Sequence, residues 1–508
     1  MNKQKILFKN HQIKINKFIF LYYVNIILTI AAETIRELRK LKNLVEKQLK
    51  RKKRYVEDSY ANTTAFYLMT LPLMESTMEI RKIMRRNRRN YTTTSLESLY
   101  MFTSMELTDP TGIVLGENAR NNNKSIVAIN PYNTNYFSNA NITILGMTGS
   151  GKTYSTQVIA RAVRLTGTRV FKILPIKAHE HIRGCDAIDG TFIKIGPGSE
   201  HRINVCAIVP EQNIDKEIIT ETIDMEQPLL AKKIAFLITW MQLNMLKEPM
   251  TGEEGDLAEV ELYKMYADYG ITSDNDSIYE KDGSLKMMPI ISDIYDRFME
   301  IQELSRITKS LRKYVYGSCS NMNGQTNVDL TNKYICFDID KNTMPKELLP
   351  PFLYATVDCV YSLVKQSRLY FDMVFLEEVW NLIQYPPAAE QVKDMVKIIR
   401  GYGGAVVPIT QDINDYIENP YGKAILSGTA IKLIMYLEPK ECRLVAKELG
   451  LTETDVRTIT SFTRGQAMLI TSRYKMVINI IASHKEDIEF TTDPNKLREI
   501  AEYEKKNL

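Results

Sequence analysis

The stretch Asn141 to Thr153, NITILGMTGSGKT, limits the possible folds of this chain more than any other. Ile142, Ile144 and Leu145 predict a short buried strand, and Gly146, Met147, Thr148, Gly149, Ser150 and Gly151 predict a loop. Lys152 and Thr153 then open a helical segment. The spacing fits G-x-x-x-x-G-K-[ST], in which glycines let backbone N–H groups converge on phosphate oxygens at a helix N-terminus. In such a loop Lys152 reaches the β and γ phosphates of ATP and the Thr153 hydroxyl faces Mg2+.

A strand, phosphate loop and helix must sit in an α/β sheet, and the rest of the chain agrees. Apolar runs at Arg169 to Leu174, Thr191 to Ile195, Ile203 to Ile208, Tyr334 to Ile339, Leu369 to Leu376, Ala405 to Ile409, Ile431 to Leu437, Gln466 to Thr471 and Lys475 to Ala482 predict strands. Helical patterns between them, as at 347–365, predict a mainly parallel sheet covered on both faces. From 211 to 317 the pattern is wholly helical, with a charged loop near Ser273 to Gly283, so this stretch reads as an all-α insertion. The expected organisation is a basic helical segment at 1–90 and a small β-containing lead-in at 91–140. A core at 141–210 and 318–490 follows, interrupted by the insertion, and a C-terminal helix occupies 491–508.

Charge is unevenly spread. Residues 1 to 145 hold 23 Lys and Arg against 11 Asp and Glu, leaving 43 against 50 in the remainder, so a basic segment precedes an acidic body. That asymmetry points to an anionic partner for the N-terminus, a lipid surface or nucleic acid. The apolar run Phe18 to Ala32, read as a helix, spans roughly 22 Å, short of the roughly 30 Å of a bilayer core. An interfacial anchor or a helix packed on a partner suits it better. No small-residue cleavage site follows it, so a signal peptide is not expected. Ile35, Leu38, Leu41, Leu44, Val45 and Leu49 then recur at helical spacing among lysines and arginines, a pattern suited either to acidic lipid or to a solvated packing helix. The second basic cluster, Arg81 to Arg89, lacks interleaved aromatics and reads as a solvated helix face. Six scattered cysteines without a C-x-x-C pair argue against a zinc site and a disulfide framework.

Functional groups of a parallel sheet gather at the carboxyl ends of its strands. Glu377 and Glu378 end one strand, where the first carboxylate can hold Mg2+ through water and the second can polarise an attacking water. Thr410 and Gln411 end another, and the Gln411 amide can bond both the γ-phosphate and that water.

The P-loop, FDMVFLEEVWNLI, IIRGYGGAVVPITQDINDY and RGQAMLITSRYKMVINI together resemble the ATPases of conjugative type IV secretion systems, within the FtsK/HerA-like class of motors. The resemblance spans Thr92 to Pro494 and implies a RecA-like core with an all-α insertion. It also implies a homo-oligomeric, hexameric ring that meets other channel components at the cytoplasmic inner face of the cell membrane. ATP hydrolysis there drives assembly and substrate transfer. It assigns the nucleotide and Mg2+ to Lys152 and Thr153, catalysis to Glu378 and a sensor role to Gln411, and makes Arg400 and Arg464 candidates for an arginine finger acting on a neighbouring subunit. Glu377 stands where the family usually has Asp, ILPIKAHEH replaces an Asp-Pro stretch, and the lead-in is short, implying a shortened N-terminal domain. Two other readings fit the same residues: an ATP-binding assembly scaffold with little turnover, and a DNA translocase or coupling protein of the same superfamily.

Overall fold

The structure is a computed structural model that describes residues 21–24, 27–51, 63–70, 78, 81, 82, 85, 89–92, 106–119, 124–210, 228–339, 344–366 and 370–507. The chain divides into two compact units, Met1–Ser104 and Met105–Leu508.

In the first unit β1 (Leu21–Val24) pairs antiparallel with β2 (Arg89–Thr92). The apolar run near the N-terminus is therefore not a helix where it is described: residues 21–24 are strand and 27–34 are irregular. Tyr, Val and Ile dominate that run, and such side chains favour a pleated strand over a helix. The expected amphipathic helix forms at Ile35–Arg51 and exposes Ile35 (72%) and Leu44 (57%) beside its basic residues. Among the described residues no helix is long and apolar enough to cross a membrane.

Among the described residues the second unit is organised by a sheet of eleven strands. In chain order these are β3 (Ile113–Asn118), β4 (Ile126–Ile129), β5 (Ile142–Leu145), β6 (Arg169–Leu174), β7 (Thr191–Lys194), β8 (Tyr334–Asp338), β9 (Asp372–Leu376), β10 (Gly404–Thr410), β11 (Ile431–Ile434), β12 (Gln466–Ile470) and β13 (Lys475–Ile480). Their order across the sheet is β4-β3-β13-β12-β11-β5-β10-β9-β6-β8-β7. Pairing is parallel from β11 through β7 and antiparallel from β11 outward to β4. Strands β5, β9 and β10 are buried along their whole length, which explains why their sequences are unbroken apolar runs instead of alternating ones.

One face of the sheet carries the helix Lys152–Leu165, whose Val158, Ile159 and Val163 pack with Ile144, Phe375 and Val407. The other face shares its core with the insertion, whose helices are Leu229–Leu243, Gly252–Asp268, Ile291–Met299 and Ser305–Val315. Thr251 and Glu254 form a capping box that starts the second of these. The strand expected at Ile203 to Ile208 is absent. There the Asn204 side chain accepts from the Cys206 N–H at 3.0 Å and donates to Pro289 O at 2.9 Å, so the backbone turns instead of extending. The lead-in strands β3 and β4 join the main sheet instead of standing apart from it. All six cysteines are buried thiols.

Candidate active site

At the carboxyl end of β5 the chain makes its P-loop, tied on three sides by backbone bonds. Gly146 N–H donates to Thr410 O at 3.4 Å, Met147 N–H to Tyr436 O at 2.9 Å, and Gly465 N–H to Ser150 O at 3.1 Å. Gly149 and Gly151 have φ of +83° and +97°, which a side chain rarely tolerates. A Cβ on Gly146 would lie 2.7 Å from Ser150 Oγ, filling the cradle. The helix that begins at Lys152 presents unpaired N–H groups and the positive end of its dipole to the same space.

The Lys152 side chain curls over the loop, its ammonium donating to Gly146 O at 2.8 Å and Met147 O at 3.2 Å. Burial pushes its pKa down, while Glu378 and Glu377 oppose that shift. Among the described residues the buried ammonium donates to these two carbonyls and to no carboxylate, and a phosphate oxygen would match its charge better. Ser150 Oγ is buried without a hydrogen-bond partner among the described residues, a second sign that an oxygen-rich ligand belongs there. These features fit a nucleotide phosphate.

Glu377 and Glu378 lie at the end of β9, and β9 is not next to β5: β10 runs between them. The carboxylates reach the P-loop across the end of that strand. Glu377 is buried and accepts from the Thr156 hydroxyl at 2.9 Å, one turn into the P-loop helix. Glu378 Oε2 accepts from the Gln411 N–H at 3.3 Å, and the Gln411 side-chain oxygen accepts from the Thr148 hydroxyl of the P-loop at 2.8 Å. Burial lifts Glu378 to about 7, against the opposing pull of Lys152 and the Gln411 N–H. Glu378 also holds φ at +46°, a left-handed conformation unfavourable for a side chain of this kind. Glu377, buried more deeply, is raised as well, with Lys172, Thr156 and Lys152 resisting. The Glu377 carboxylate with the Thr156 hydroxyl bound to it, and the Glu378 carboxylate next to it, are hard oxygen donors of the kind that Mg2+ and its waters take.

The two arginines part company. Arg400 donates to Ser138 O, just ahead of β5, so it sits at the amino ends of the parallel strands, opposite the P-loop. Arg464 lies against the P-loop of its own chain, with its Cγ 3.3 Å from the position of a Cβ on Gly151.

Three contributors were not picked out from the sequence. Thr156 could have been found, because it lies one helical turn beyond Lys152 on the same face. Lys172 is fully buried in β6, its ammonium 2.9 Å from His181 Nδ1. Burial and the neighbouring Lys172 hold the His181 imidazole well below its ordinary range, so it accepts from the lysine. A lysine within the apolar run RVFKIL was itself the signal, since a buried charge demands a partner.

Residues 287–507 match the model of the TraG P-loop domain, a stretch that includes Glu377, Glu378, Arg400, Gln411 and Arg464. Among solved structures, the chain is similar to VirB4 of Thermoanaerobacter pseudethanolicus, with a TM-score of 0.64 and 23% identity over 75% of this chain and 99% of that one. It also aligns with the plasmid coupling protein TrwB in complex with ADP and Mg2+, at 13% identity and a TM-score of 0.44, over 77% of this chain and 93% of that one. No curated protein matches the sequence. The fold is that of a RecA-like P-loop NTPase, and the resemblance to conjugative type IV secretion ATPases is borne out.

Proposed function

We propose that this chain, a P-loop NTPase of the conjugation type, is the ATP-hydrolysing motor of a type IV secretion system, powering assembly of the apparatus and transfer of its substrate. The observation that supports this most is the meeting of three distant loops, through Lys152, Glu378 and Gln411, at one end of the sheet.

In this reading the P-loop amides and Lys152 hold the triphosphate. Gln411 and Glu378 orient a water in line with the γ-phosphorus. Its oxygen forms the new P–O bond as the bond to the β,γ-bridging oxygen breaks, ADP leaves with that electron pair, and Glu378 takes the proton. Mg2+, facing Thr153 and Glu377, would neutralise charge on the phosphate oxygens. Arg400, remote from its own P-loop, suits a ring of identical copies, probing the next subunit's γ-phosphate. A hexamer at the inner face of the membrane, among other channel components, follows from the same resemblance. The exposed apolar and basic surfaces of Ile35–Arg51 suit acidic lipid headgroups.

Phosphate release by the purified chain, compared with Lys152→Ala and run with and without DNA, tests the reading. Turnover above that control is expected. None, under conditions that give a ring, would leave a nucleotide-binding scaffold. Strong stimulation by DNA, weakening steeply with salt, would instead mark a coupling protein. Deleting residues 1–54 should move the protein from the membrane pellet to the supernatant, and unchanged partition would remove the lipid role.

A further inference from the structure

The order of strands gives the nucleotide site two unlike sides. Glu378 and Gln411 stand on β9 and β10, to one side of the P-loop strand β5. Arg464 stands on the other side, in the turn that leads into β12, beyond β11. That turn is fastened to the P-loop itself: Gly465 N–H donates to Ser150 O at 3.1 Å, and a Cβ on Gly151 would lie 3.2 Å from Gly465 N. Gly151 and Gly465 both hold positive φ, at +97° and +84°, so the two loops approach each other backbone to backbone.

A bound triphosphate has a direction. Its γ-phosphate must face the groups that activate water, on the β10 and β9 side, so its α-phosphate and ribose run toward β11 and β12. We propose that Arg464 binds the α-phosphate end of the nucleotide in its own subunit, and is not an arginine finger for a neighbour. This assignment rests on the nucleotide-site reading above.

The side chain is placed for that task. It is half-exposed, and its present partners hold it loosely, with Thr492 Oγ1 at 3.4 Å and Asp493 Oδ2 at 3.8 Å. Its charge is felt by Tyr154, in the first turn of the P-loop helix. A guanidinium anchored at its Cγ by the P-loop and weakly held at its tip can exchange a distant carboxylate for a phosphate oxygen, where two parallel N–H bonds are available.

The test uses full-length Arg464→Ala and Arg464→Lys, with fluorescent ADP, a non-hydrolysable ATP analogue and turnover as readouts. Losing a charge-assisted bond to a group shared by ADP and ATP should weaken both by the same factor, about tenfold or more. The maximal rate at saturating ATP should stay within about threefold, since no interaction special to the transition state is lost. Arg464→Lys should fall between, and it decides the matter if the alanine variant melts early. Mixing Arg464→Ala with Lys152→Ala subunits should restore nothing.

Unchanged ADP affinity with a maximal rate reduced about 10³-fold, the loss expected of a finger, and recovered on mixing, would overturn the assignment. So would wild-type binding and turnover in both variants. A wild-type chain that binds ADP yet hydrolyses no ATP would sink the motor reading and leave this one standing, because affinity is its measure.

Discussion

The two sides of the P-loop strand are built by different rules. On the β10 and β9 side the strands are parallel and wholly buried, and of the groups at their ends Glu377 and Thr410 are drawn into the same dry interior while Glu378 is half-buried at its edge. On the β11 and β12 side the pairing turns antiparallel and the contacts with the P-loop are mostly backbone, from Tyr436 and Gly465, with a half-exposed arginine at the rim. Charges act on one another far more strongly where water is excluded. The first side can therefore perturb a carboxylate and store strain at Glu378, while the second offers recognition that solvent weakens. In the reading proposed above, chemistry and grip fall to two different halves of one sheet.

The comparison is sharpened most by changing the dry side. Glu378→Gln should bind ATP normally yet lose turnover by at least about a hundredfold, as expected when the group that takes the proton is removed. Near wild-type hydrolysis would end the assignment of the base and with it the contrast. Thr156→Val removes the hydroxyl bond to the Glu377 carboxylate. The Mg2+ concentration for half-maximal turnover should rise about tenfold, because a buried hydrogen bond to a charged group is worth roughly 1.5–3 kcal/mol. A drop in thermal stability alone, with metal dependence unmoved, would show that Thr156 only packs.

Acidity offers a test without mutation. Glu378 must be ionised to accept a proton and its pKa lies at about 7, so turnover should fall as pH drops below 7, approaching tenfold per unit, measured at saturating ATP. The stability sign is separate: a carboxyl raised on folding favours the protonated native state, so its contribution is lost as pH climbs from 4.5 to about 7. A flat rate profile from pH 6 to 8 would place the base elsewhere. The smallest effect is strain. Glu378→Gly relieves a positive φ and should raise the urea midpoint by the equivalent of about 1 kcal/mol while abolishing turnover, and a less stable variant would mean that the left-handed turn costs nothing.

The P-loop, the apolar strands and the helical insertion were legible in the sequence because each is a local pattern: glycine spacing, unbroken apolar runs and a period near 3.6 residues. The same logic failed at the apolar run near residue 21, where β-rich side chains formed strand, and at Asn204, where one side chain bent the backbone. Strand order was beyond reach, since it depends on which apolar edges meet. That order placed β10 between the P-loop and the two glutamates, carried Arg400 to the far end of the sheet, and set Arg464 beside its own Gly151. Residue identity alone thus determined a loop of the phosphate-binding form and carboxylates at strand ends. Which groups share one dry space, and which stand in water at its rim, was decided only when long-range packing chose the neighbours of each strand.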